Sequence, residues 1–465
     1  MASSVKQHGR VYTPDYLVRQ ILDFGGYTGE TIIGKHVIDN SCGEGAFLRA
    51  IVKRYCETYK GDRLKQHLET YIHGIELDEN EQNKCVEALN EIALLYGINH
   101  INWDILCADA LTVDYHNGKM DFVFGNPPYV RVHNLDKSYD AVKQFSFAQQ
   151  GMTDLFIVFF ELGFRMMKND GRMCIITPSS WFNSKAGTVL RQYIIQHKNL
   201  SGIIDLVHFQ PFAATTYTAI SRFEKNSNLV ELYKYTDNLT PPVLIDKLPL
   251  DNLYITGNFY FSNQKHLTEL TNIRTGKAFR YVVVKNGFAT LADKTFIGDF
   301  SFEEGTIDVL KASTGKWSKC IFPYDSNGRP LPLDVIEKNE PLYKYLLEHK
   351  SMLTSGRDVE NKEHWYLFGR SQAIKDVGRD KLALNTIIKD KSSIRLMKVP
   401  AGKGLYSGLY ILTDIEEREI RELIVCDDFV EYVRMLANYK SGGYYTFASK
   451  DVEQYLNHKL SERYE

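Results

Sequence analysis

An apolar run, Phe122-Val123-Phe124-Gly125, ends against two consecutive prolines in Asn126-Pro127-Pro128-Tyr129. Proline fixes φ and has no N–H to donate. The residue before it is driven out of the helical region. A strand therefore has to stop here, in a rigid corner that holds Asn126 extended. Left at that corner are the Asn126 side-chain carbonyl, the Pro127 backbone carbonyl and the ring of Tyr129. Two acceptors beside a flat ring suit a planar heterocycle that carries an exocyclic amino group.

Around this strand, short apolar runs alternate with helical spacings. Strands are expected at 37–39, 71–76, 101–107, 121–125, 172–177, 202–207 and 218–223, and helices at 46–59, 80–96, 154–167 and 184–196. Such alternation predicts an α/β fold with a mostly parallel, seven-stranded sheet and crossover helices. The pattern breaks at the polar stretch 224–228. Beyond it the chain is less regular and reads as α+β. Two domains are expected, 1–225 and 226–465.

Three of the strands end in acids. The first runs into Asp39-Asn40-Ser41-Cys42-Gly43-Glu44-Gly45, where glycines open a helix and let a ligand approach the backbone. A dinucleotide fingerprint would place a third glycine where Leu48 stands, so a ligand without phosphates is favoured. The second strand ends in Glu76-Leu77, where a carboxylate can bind the two hydroxyls of a ribose. The third ends in Asp109-Ala110, where an acid beside a small residue can accept from an adenine amino group. Ligands of open α/β sheets bind at these carboxyl ends. Taken singly, each acid reads equally well as a helix N-cap. The ordered set followed by Asn-Pro-Pro-Tyr points to a nucleoside cofactor, S-adenosylmethionine.

The net charge of −2, from 56 Lys+Arg against 58 Asp+Glu, does not announce a nucleic-acid partner. Any basic surface must be assembled in space. Seven scattered cysteines without a Cys-x-x-Cys pair argue for reduced thiols in a cytoplasm and against a zinc ribbon. Residues 1–10 contain no apolar signal segment, and no run is long enough to span a membrane.

On these motifs the chain resembles the gamma-type adenine-N6 DNA methyltransferases of restriction–modification systems, the Taq and Eco57 group. The resemblance covers most of the chain. It implies that Tyr12 and Thr13, ahead of Pro14, cover the methionine end of S-adenosylmethionine. Asp39, Ser41, Gly43, Glu76, Leu77, Asp109, Ala110, Asn126 and Pro128 would complete that cofactor site. Phe159, in the helix after Thr153-Asp154-Leu155-Phe156, would flank the adenine of the cofactor. Asn126, Pro127 and Tyr129 would be catalytic, and Phe212 would be a second aromatic against a flipped base. Without the resemblance, Phe212 reads as a core residue. In the C-terminal half, Lys285, Asn286, Arg370 and Gln372 would contact DNA, although Arg370 and Gln372 read equally well as a satisfied polar turn, while Trp365 and Tyr366 read as core. The implied chemistry needs no metal. The implied partners are double-stranded DNA and a separate restriction endonuclease, with a monomer favoured. Asn-Pro-Pro-Tyr also occurs in enzymes that methylate RNA or a protein glutamine, and a non-catalytic DNA-specificity subunit is a further alternative.

Overall fold

The computed structural model describes residues 12–132, 139–149, 153–212, 216–235, 241–355, 357 and 364–464. Residues 1–10, and residues 213–215 after Phe212, lie outside these. The chain divides into two compact units, the first running to Thr268 and the second starting at Glu269.

The first unit is built on one large sheet. Its strands are β1 (Val37–Asp39), β2 (Ile72–Glu76), β3 (Asp104–Cys107), β4 (Met120–Gly125), β5 (Met167–Pro178), β6 (Leu200–Asp205), β7 (Thr218–Glu224), β8 (Val230–Lys234) and β9 (Val243–Leu248). Their spatial order is β3-β2-β1-β4-β5-β7-β6-β8-β9. β3, β2, β1, β4 and β5 run parallel, whereas β7 is inserted antiparallel between β5 and β6. The chain order reverses between β1 and β4, which makes their carboxyl ends the switch point where open α/β sheets take ligands.

The sheet has nine strands rather than seven. β8 pairs parallel with β6, and β9 pairs antiparallel with β8. The expected boundary near residue 226 thus falls inside the first unit. The polar stretch at 224–228 is a turn between two strands of one sheet, and backbone pairing carries the sheet across it.

The helices that pack on this sheet follow from their apolar spacing. α1 (Asp15–Phe24) starts at Pro14 and buries Leu17, Val18, Ile21 and Leu22 on one face. α2 (Ala46–Thr58) buries Phe47, Leu48, Ile51, Val52, Tyr55 and Cys56. α3 (Glu79–Leu95) is capped by Asp78, whose carboxylate accepts from the amides of Asn80 and Glu81. α4 (Leu155–Met166) is apolar nearly all round and is buried accordingly.

The second unit holds two four-stranded sheets and a three-stranded one. One four-stranded sheet is wholly antiparallel and joins Val282–Asn286, Leu409–Thr413, Lys381–Leu384 and Leu396–Val399. The helix Ser449–Tyr464 ends the chain, and its Asn457 side chain bonds both the amide and the carbonyl of Val282. Trp365 and Tyr366 lie in the core of this unit, as expected of them. Among the described residues, no helix is long and apolar enough to cross a membrane.

Candidate active site

Asp39 closes β1 and is buried. Its Oδ1 accepts from the Ser41 amide at 3.1 Å. Burial raises the carboxyl to about 7, helped by the nearby charge of Glu76 and opposed by the Ser41 amide. Gly125, at the end of β4, fits against this acid. A Cβ there would lie 2.9 Å from Asp39 Oδ1, so a glycine lets the two central strand ends meet.

Glu76 closes β2 and is fixed by two backbone amides. Gly43 N–H donates to Oε2 and Asp78 N–H to Oε1, each at 2.9 Å. Each oxygen keeps a second lone pair for a ligand hydroxyl. The same contact ties the loop after β1 to the end of β2. Leu77 is exposed beside it. Asp109, after β3, accepts from the Leu111 amide at 3.0 Å, capping a short turn over buried Ala110. The N-cap role weighed for Asp109 is therefore present, and its carboxylate is oriented by it.

The loop between β1 and α2 has room for a ligand. Gly43 has φ of +51°, and a Cβ there would meet nothing within 4 Å. Gly45 has φ of +85° and abuts Cys85, where a Cβ would come within 2.7 Å of the sulfur. The Ser41 hydroxyl is buried without a hydrogen-bond partner in the protein. Buried hydroxyls are rarely left so. A polar ligand in this loop would satisfy it.

At the corner itself, Asn126 Nδ2 donates to Thr13 Oγ1 at 3.0 Å. Thr13 is buried just ahead of α1, and Tyr12 before it is exposed. One N–H of the amide is thereby used, which sets the direction in which the accepting Oδ1 faces. The segment beyond Tyr129 pairs with the one before α4: Val132 N–H donates to Thr153 O at 3.0 Å, and Leu155 N–H to Val130 O at 2.7 Å. This brings α4 to the corner, with Phe159 buried on it. Pro127 is buried and Pro128 half-buried at the turn.

The ring of Tyr129 stands edge-on to Phe212, with centroids 6.2 Å apart and planes at 78°, and edge-on to Phe156 at 6.4 Å and 77°. Its hydroxyl reaches Ile176 O only at 3.4 Å. Phe212 is 7% exposed and belongs to the core cluster that Tyr129 packs against. Sequence reasoning gave no role to Phe156 or Gly125, although both lie inside segments it had singled out.

In the second unit, Lys285 Nζ is paired with Asp376 at 2.7 Å, and Gln372 Nε2 donates to Gly287 O at 2.6 Å. Arg370 Nη1 donates to Gly369 O at 3.2 Å. Asn286, which ends a strand, is exposed.

Known proteins resemble this chain in sequence and in fold. Residues 38–212 match the Eco57I restriction-modification methylase family. The chain is 29% identical over 421 residues to the type II methyltransferase M.BstVI of Geobacillus stearothermophilus, covering 78% of this chain and 74% of that protein. It is 22% identical to the type II restriction enzyme and methyltransferase RM.Eco57I of Escherichia coli, covering 82% of this chain but 49% of that protein. Among solved structures, the type IIL restriction-modification enzyme MmeI in complex with DNA superposes with a TM-score of 0.62 at 14% identity, covering 94% of this chain and 63% of that one. This last likeness establishes the fold. The segment from 38 to 212, which carries all three strand-end acids and the Asn-Pro-Pro-Tyr corner, is the part that matches the Eco57I restriction-modification methylase family.

Proposed function

We propose that this chain is an S-adenosylmethionine-dependent DNA methyltransferase of a restriction–modification system, and that it methylates the N6 amino group of adenine. The observation that carries the reading is the hydrogen bond between Thr13 and Asn126. It orients an amide acceptor at the end of β4, beside the buried acid that ends β1. The relatives named above, called type II methyltransferases, support the DNA substrate.

When bound, S-adenosylmethionine supplies a methyl group already activated by the positive sulfonium. Glu76 is suited to its ribose, Asp109 with Ala110 and Phe159 to its adenine, and Asp39, Ser41, Gly43 and Thr13 to the rest. An adenine inside a duplex cannot present N6 and must leave the stack. Tyr129 offers a ring for it, with Phe212 against that ring. Such stacking returns about 1–3 kcal/mol of the cost of extrusion. Asn126 Oδ1 and the Pro127 carbonyl then accept the N6 hydrogens. This draws the nitrogen lone pair out of the ring and toward the methyl group. Positioned acceptors and proximity supply the rate.

On this reading the substrate is double-stranded DNA in the cytoplasm of a prokaryotic cell, and we propose a monomer working beside a separate endonuclease that cuts the same site when it is unmethylated. The test is transfer of tritiated methyl from S-adenosylmethionine to unmethylated plasmid DNA, followed by nucleoside analysis. Label in N6-methyladenine is the expected result. Label in cytosine would overturn the base assignment, and label in RNA or protein alone would overturn the substrate class.

A further inference from the structure

At the amino-terminal edge of the large sheet, away from the strand ends described above, three ligand-type side chains converge. His73 is the second residue of β2 and Asp104 the first of β3, and the two are register partners on adjacent parallel strands. His73 Nδ1 lies 2.6 Å from Asp104 Oδ2. His116, in the connection before β4, brings Nε2 to 3.8 Å from the same oxygen. One ligand atom from each of the three lies within 4.8 Å of the others.

His116 provides a second, independent observation. Its side chain is 0% exposed, yet neither ring nitrogen has a hydrogen-bond partner. A buried imidazole with both nitrogens unsatisfied is costly unless something else occupies the space before it. On the other side, His73 Nε2 is 2.9 Å from His36 Nδ1, with the two rings stacked at 5.1 Å and 12°. A histidine that ligates a metal through one nitrogen is commonly held by a hydrogen bond at the other.

We propose that His73, Asp104 and His116 bind a divalent transition-metal ion, zinc by preference, with His36 orienting His73. Two imidazoles and a carboxylate are a zinc donor set. Donors at about 2.0–2.1 Å from a tetrahedral ion stand about 3.3 Å apart. The separations of 2.6 and 3.8 Å from Asp104 to the two imidazoles fall either side of that figure, and the two imidazoles lie within 4.8 Å of each other. The Asp104 side chain is 25% exposed, which gives a water access to the fourth position. Lys119, nearby, holds its ammonium 3.9 Å from the centre of the Tyr115 ring.

The protons balance. A carboxylate can only accept, so without metal His73 carries a proton on Nδ1, and a neutral His73 would accept at Nε2 from His36. With metal bound, each of the two rings moves its proton to the other nitrogen, and the pair loses none. The ion ties β2, β3 and the connection into β4 at an edge remote from the catalytic corner, so its role is structural.

The test uses the full chain without a histidine tag, stripped with chelator and titrated with zinc chloride or cobalt chloride alone. The expected result is one equivalent per chain, the visible bands of tetrahedral cobalt without a thiolate charge-transfer band, and a metal-dependent rise in Tm. His116→Gln and Asp104→Asn should each abolish uptake, while His36→Ala should keep the stoichiometry and weaken affinity about 10- to 100-fold. Should the variants fail to fold, the cobalt spectrum of the unaltered chain decides alone. No stoichiometric uptake overturns the proposal, and so does a thiolate band, which would assign the metal to cysteines.

Discussion

The hydrogen bond from Asn126 to Thr13 gives the amide proposed to be catalytic a direction. Removing one preorganised polar group from an active site costs about 10²–10³ in kcat. Asn126→Ala should therefore lower methyl transfer by at least that factor while the cofactor Kd, measured by calorimetry, moves little. Retained turnover would remove Asn126 from the reaction. For Tyr129, the hydroxyl contact is long and the ring contacts are close. Tyr129→Phe should keep most of the activity, whereas Tyr129→Ala should lose the stacking, about 1–3 kcal/mol or roughly 5- to 150-fold. Equal losses would shift the role to the hydroxyl. Asp39 adds a pH dependence. Burial lifts its carboxyl to about 7 in the folded chain, from an ordinary value of 3.8. The native state then holds more protons than the unfolded one between those values, so this group's contribution to stability falls as pH rises from about 4 to 7. A cationic cofactor favours the ionised acid, so affinity should rise through pH 7 with release of up to one proton. Calorimetry in buffers of different ionisation enthalpy reads that release directly, and Asp39→Asn should flatten the profile.

At the scale of elements, much was legible because strand ends announce themselves. A proline pair stops β4, and acids mark the ends of β1, β2 and the turn after β3. The order of those marks pointed to a candidate site at the carboxyl ends of these strands. What could not be read were relations between segments distant along the chain. β9 has little apolar alternation, and its first residues are exposed. Pairing with β8 makes it a strand. Gln372 reads in sequence as either a base reader or part of a polar turn, and one N–H of its amide goes to the Gly287 carbonyl. The His73, Asp104 and His116 cluster draws on three separate segments and left no spacing to notice. The two glycines of the first loop looked alike in sequence, and the structure separates them. Gly45→Ala combines a left-handed φ with a contact of 2.7 Å to Cys85, so it should destabilise the fold by more than the 1–2 kcal/mol that positive φ alone costs. Gly43→Ala meets open space. It should cost stability only through its backbone but raise the cofactor Kd, because its Cβ enters the ligand's volume. Urea unfolding and cofactor titration of both variants test the contrast, and the opposite ranking would move the ligand out of this loop.

For the whole molecule, the division at Thr268 matters more than the change of sequence texture at 226. Among the described residues, one core cluster in the first unit spans α1 to β7, and two clusters in the second are built from residues 288–377 and 310–412. Units with separate cores can unfold separately, and a ligand stabilises only the cooperative unit that holds its site. All the cofactor residues proposed here lie before Thr268. Scanning calorimetry of the full chain should show two transitions, of which S-adenosylmethionine raises one and leaves the other in place. At a hundred times Kd the shifted unit gains about 2.7 kcal/mol. Cys85→Ala, beneath the cofactor loop, should lower that same transition, whereas Leu384→Ala, fully buried in the second unit, should lower the other. A single transition that moves as a whole with cofactor would mean that the two units fold as one. Cofactor binding would then have a direct thermodynamic route to the half of the chain proposed to read DNA.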